Sequence, residues 1–402
     1  MAAPADLVGQ VATALTQLPS LAAGTPERER SSAELDQCLG TMKLIIYGEH
    51  QQEPDAARSD ELRAALVRPE TDCLRWMIIH HEQAAFESRK VIALLVSHLL
   101  RKFPQAVPYV QGRPDTLDRL TAGYSNPDVA LTCGGMLREC LRHEDLCMQV
   151  AESPEMLGRL VEAVQLPNFD LATDAFGTFK ELLTLHKTAR FAAWMDGNYD
   201  ALFSMLNKLH RSVHCWDQLT FVTAAFCLTV RAWRRCENYV TRRLTMKLLG
   251  EILLDRNNFK VVRRPALPSR LRIAQAFHPA LGRQMSRYIA DPRHLRLVMK
   301  ALADPSQAIA FEAFHVFKIF AANPNKTKEV EDILLRNRVR CSLPFPSLFA
   351  PIVGCVQDKL LGFLPTFQDA KAEEDPQFQM ERQKVVDDIA ALAPEPAAGG
   401  GQ

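Results

Sequence analysis

The 402 residues read as an all-α chain of stacked helical repeats of the armadillo/HEAT class. Apolar residues recur at helical spacing through long segments, while alternating, strand-like runs are few. Four of those segments can be laid over one another. The first two are 42 residues apart, a period typical of repeats that bury an apolar face only by stacking.

In chain order, residues 1–32 open with a short amphipathic pattern, DLVGQVATAL, and close on TPERERSS, a charged stretch expected as a flexible break. A single repeat domain is expected over 33–389. Its superposable segments are DVALTCGGMLRECL (128–141), DLATDAFGTFKELL (170–183), VTRRLTMKLLGEILL (240–254) and AIAFEAFHVFKIFAA (308–322), anchored on Glu139, Glu181, Glu251 and Ile319. Two positions before each anchor stand Leu137, Phe179, Leu249 and Phe317; six before stand the small residues Cys133, Ala175, Thr245 and Ala313. The first set marks an inner stripe and the second the places where a neighbouring helix comes close. In the last segment Phe311, Phe314, Phe317 and Phe320 are expected to pack, and Asn323-Pro324 to stop the helix. Residues 390–402, ending in PEPAAGGGQ, read as a disordered tail.

Composition narrows the function. A formal net charge of +1 gives no bulk signal for nucleic acid or a membrane surface. The longest uncharged apolar stretch, Leu219 to Val230, falls far short of the roughly 20 residues that span a bilayer. A cytoplasmic protein without membrane insertion is expected. Ten cysteines are scattered singly and read as free thiols rather than zinc or redox pairs. The adjacent histidines of IIHHE (78–82) lack the i, i+4 spacing of a helical chelate and read as surface residues. Neither a P-loop nor a G-x-S-x-G turn occurs, Gly134-Gly135 reads as close helix packing, and Cys140/His143 lie on a helix that must pack. No catalytic residue, metal or cofactor is expected.

CGGMLRECLRHE (133–144), FDLATDAFGTFKELLTLHK (169–187), ENYVTRR (237–243), KLLGEILLDRNNF (247–259) and FEAFHVFKIFAANPNK (311–326) resemble the calcium-binding protein 39 family, the mouse-protein-25 scaffolds. The resemblance runs from about Ala33 to about Ile389. It implies a curved helical-repeat rod without catalytic activity, which binds and activates protein kinases: the STRAD pseudokinase and sterile-20-like kinases. It also implies a pocket near the C-terminal end for a terminal Trp-Glu-Phe, and a concave face that holds a kinase fold. Carried over by motif, the pocket residues are Phe169, Arg243, Lys247 and Met299, with Arg336 in LLRN standing where the family has lysine. Tyr239 and Phe259 are the implied concave-face contacts. Arg243 and Lys247 are i, i+4, so both cations face one way. No D-x-[DN]-x-[DN]-G loop followed by glutamate is present, so calcium binding is not expected despite the family name. The alternative function is an armadillo-type adaptor for extended peptides unrelated to kinases. It predicts similar groove residues in every repeat, whereas Arg243 and Lys247 have no basic counterparts at 130–141 and 172–183.

Against the family pattern the chain carries three expected insertions, 213–236, 262–284 and 339–357. Removing them brings the other two anchor intervals, 70 and 68 residues as they stand, close to 42. Together the insertions hold nine arginines, one aspartate and no lysine or glutamate. Each begins with valine, whose codons start GT, and the latter two end in glutamine, one of whose codons is CAG. These are intron edges, and the segments are read as translated introns rather than evolved loops.

Overall fold

The computed structural model describes residues 3–48, 54–209, 239–254, 279–338 and 360–392, and these are helical, without strands. Most of the three expected insertions, the tail beyond 392 and Phe259 lie outside the described residues. The chain divides into two compact units whose described parts meet between Lys187 and Thr188.

In the first unit α1 (Pro4–Gln17) packs on α2 (Pro26–Tyr47), α3 (Ala56–Leu66) and α4 (Cys73–His80). It buries Leu7, Val8, Val11 and Leu15, the apolar stripe of the amphipathic pattern. The charged stretch expected as a break is instead the start of α2. Thr25 accepts the Arg28 N–H, Pro26 takes the first helical position, and Glu27 and Glu29 favour the positive end of the helix dipole. These local signals outweigh the stretch's polarity.

There follow α5 (Phe86–Lys102), α6 (Ala106–Gln111), α7 (Pro114–Ala122), α8 (Ala130–Leu141), α9 (Glu144–Glu152), α10 (Pro154–Ala163) and α11 (Phe169–Thr184). One long helix of each repeat forms a row: α2 packs on α5, α5 on α8 and α8 on α11. Burial explains the row. Cys133, Leu137, Ala175 and Phe179 are fully enclosed, small residues at the crossings and large ones between.

The second unit holds α12 (Ala189–Gly197), α13 (Tyr199–Leu209), α14 (Tyr239–Leu254), α15 (Pro279–Ala290), α16 (Pro292–Leu302), α17 (Gln307–Ala322), α18 (Lys328–Arg336), α19 (Leu360–Phe363), α20 (Asp369–Glu374) and α21 (Pro376–Ala390). Its row is α14, α17 and α21. Thr245, Leu249, Ala313 and Phe317 again fill the crossing positions, all buried. α17 opens on Ser306, which accepts the Ile309 N–H, and stops where Asn323 turns extended ahead of Pro324. Phe314, Phe317 and Phe320 are enclosed, each burial stabilising by about 1.5–3 kcal/mol; Phe311 is half-buried against Phe378. α15 begins at Pro279, inside the expected second insertion, so residues up to Gln284 continue a helix of the repeat.

Candidate functional site

α14 divides its residues cleanly. Thr241, Thr245, Leu248, Leu249 and Ile252 face the interior, with the Thr245 hydroxyl donating to the Thr241 carbonyl at 2.7 Å. Tyr239, Arg243 and Lys247, spaced i, i+4 and i+8, form an exposed stripe on another side. The arginines of VTRR therefore part company. Arg242 is largely buried in an ion pair with Asp304, whereas Arg243 points outward and its Nε lies 3.9 Å from Glu312 on α17.

Glu312 is the carboxylate on which the stripe converges. Its side chain is only 13% exposed, and burial raises its carboxyl above the usual range despite the lowering influence of Lys247, Arg243 and Lys371. Beside it the Lys371 ammonium sits 3.0 Å from the Phe311 ring centroid, a cation–π contact. The arrangement is a cationic stripe partly neutralised from within by Glu312.

Tyr239 starts the stripe and is 44% exposed. Met299 is half-buried on α16, and Arg336 is exposed in the last turn of α18, which packs on α16. Phe169 belongs to the first unit, where it opens α11 behind the Asn168 cap and is 58% exposed. Glu312 and Lys371 were not among the expected residues. The signal for Glu312 was a lone carboxylate inside the apolar run FEAFHVF.

Residues weighed for other chemistry are structural. His81, expected at the surface, is buried: its Nδ1 donates to the Ile78 carbonyl at 2.9 Å, leaving Nε2 to accept the Cys133 thiol at 3.3 Å. Its neighbour His80 stacks on Trp76. Burial pushes the thiols of Cys73, Cys133, Cys140 and Cys147 up to about 12, so none is a ready thiolate. Of Gly134-Gly135 only the first is a packing glycine. A side chain at 134 would overlap Asp174 and Tyr124, while one at 135 meets nothing within 4 Å. Among the described residues no group of three His, Cys, Asp or Glu side chains is placed to hold a metal, and no helix is long and apolar enough to cross a membrane.

The chain matches the family model described as Mo25-like over residues 1–214 and 278–342. It is 35% identical to MO25-like protein 2 of Caenorhabditis elegans, over 97% of this chain and 96% of that one. It is 33% identical to calcium-binding protein 39-like of Homo sapiens, over 90% and 88% of the two chains. To the degreening-related gene dee76 protein of Auxenochlorella protothecoides it is 32% identical, over 91% and 93%.

Proposed function

Because the chain belongs to the Mo25-like family, we propose that it is a non-catalytic scaffold that binds and activates protein kinases, a STRAD-like pseudokinase and sterile-20-like kinases. Family membership and the stacked helical architecture support the scaffold or adaptor role. The observation that carries the finer reading is the exposed Tyr239–Arg243–Lys247 stripe of α14. In this reading Arg243 and Lys247 receive the glutamate and terminal carboxylate of a partner ending in Trp-Glu-Phe. Met299 supplies an apolar contact, Arg336 adds charge, and Tyr239 meets the kinase fold. Charge-assisted hydrogen bonds of this kind contribute roughly 1.5–3 kcal/mol each.

The test is fluorescence anisotropy with a labelled peptide ending in Trp-Glu-Phe-COOH. Arg243→Ala and Lys247→Ala are each expected to weaken binding about tenfold or more, and an amidated terminus to do the same. Unchanged affinity in Arg243→Ala would rule the reading out.

A further inference from the structure

A second surface lies wholly in the first unit. The register of the repeats can be set from two matching hydrogen bonds. His143 Nε2 donates to the Leu100 carbonyl at 3.0 Å and His186 Nε2 to the Leu141 carbonyl at 2.6 Å, so Leu100 of α5 corresponds to Leu141 of α8. On that register Lys90 and Leu94 of α5, and Leu131 and Gly135 of α8, hold the places that Arg243 and Lys247 hold on α14.

These residues line a groove of about 520 Å³, completed by Tyr47, Ala93, Ser97, His98, Arg101, Lys102 and Thr132. Its apolar groups, Tyr47, Leu94 and Leu131, are exposed, Leu131 by 54%. Three cations and no carboxylate line it. Arg101 is held by Glu139, with Nε donating to Oε2 at 2.6 Å, so its position is fixed by a nearly buried partner. Lys90 reaches the exposed Glu87 at 2.8 Å, a surface pair that a ligand displaces at little loss.

Gly135 forms part of the groove's floor. A glycine inside a helix costs about 1 kcal/mol relative to alanine. At Gly134 the close approach of Tyr124 and Asp174 requires it, whereas a side chain at Gly135 meets open space. Packing gives no reason for the second glycine. Its effect is to leave the groove empty between Leu94 and Leu131.

We propose that this groove binds an extended acidic segment of another protein, with one aromatic or large aliphatic side chain seated over Gly135 and flanking carboxylates on Lys90 and Lys102. The apolar walls and the cation-rich lining, with Lys90 held by a displaceable surface pair, set this chemistry together.

The probe is a fluorescein-labelled, amidated heptapeptide, Glu-Asp-Glu-Trp-Glu-Asp-Glu, titrated against the full chain. Saturable binding is expected, weakened about tenfold by Gly135→Leu and by Lys102→Glu, and at least fivefold when the tryptophan is replaced by alanine. Gly135→Leu introduces a good helix former whose Cβ meets nothing within 4 Å, so its thermal midpoint should not fall; Gly135→Ala should keep most of the binding. Retained binding by Arg243→Ala would separate this groove from the α14 stripe. The proposal is overturned by absence of saturable binding, by indifference to Gly135→Leu, by equal binding of the alanine peptide or of a single-stranded oligonucleotide, or by self-association of the chain that Gly135→Leu abolishes.

Discussion

Neighbouring glycines in α8 have opposite physical roles. Gly134 lies where Tyr124, Asp174 and Thr178 meet, with the Tyr124 hydroxyl 2.7 Å from Thr178 and Arg138 pairing Asp174 at 2.9 Å. A methyl group there must displace part of a buried polar network, so Gly134→Ala is expected to destabilise by about 2 kcal/mol or more. Gly135→Ala relieves only the helical glycine penalty and should stabilise by up to about 1 kcal/mol. Urea midpoints of the two variants decide it; the same sign of shift in both would refute the distinction. The dipeptide suggested packing for both positions, because composition alone does not tell which side of a helix faces a neighbour. His81 shows the same limit. Its burial depends on Cys133, 52 residues away, which no local pattern around IIHHE reports.

At the scale of helices, the row of long helices was largely legible, because crossings demand small residues and the stripe between them large ones. α5 was missed. Its counterpart of Glu139 is His98, so the glutamate that three of the four segments share is absent, and the hydrogen bond from His143 to Leu100 reveals the register. The stripe of α14 was legible from i, i+4 spacing, but its counter-charge Glu312 was not, since it comes from a different helix. The contact of α17 with α21 yields a pH prediction. His315 there rests edge-on against Phe311 and faces Lys318, Glu381, Lys371 and Asp375. Burial, aided by Lys318, lowers its pKa to about 4. The folded state thus binds the proton less readily than the unfolded chain, whose histidine titrates near 6.5. Stability is therefore lost as pH falls from about 6.5 towards 4, by about 2–3 kcal/mol for a largely enclosed side chain. His315→Gln should lose about 2 kcal/mol less between pH 7.5 and 4.5 in urea unfolding. An unchanged pH dependence would mean that the imidazole is charged or solvated in the fold.

For the molecule as a whole, the decisive question is what 213–236, 262–284 and 339–357 contribute. The first two flank α14, which bears Arg243 and Lys247, and the third follows Arg336 within a few residues. Their nine arginines against one aspartate, in a chain of net charge +1, mean that the rest of the protein is acidic. If they are translated introns, a chain lacking all three should fold cooperatively, elute later from an anion exchanger, and bind the Trp-Glu-Phe peptide more tightly than the full chain. The start of α15 at Pro279 sharpens the design, because cutting at 284 removes the first turn of a helix that packs on α12. A second version deleting 262–278 keeps that turn. Tighter binding by either shortened chain would mark the segments as obstructive, and transcripts lacking them should then exist. Equal binding would make them tolerated loops, as the small entropic penalty of lengthening a surface connection allows. Loss of cooperative unfolding in both versions would show that the segments contribute to the core, and the intron reading would fail.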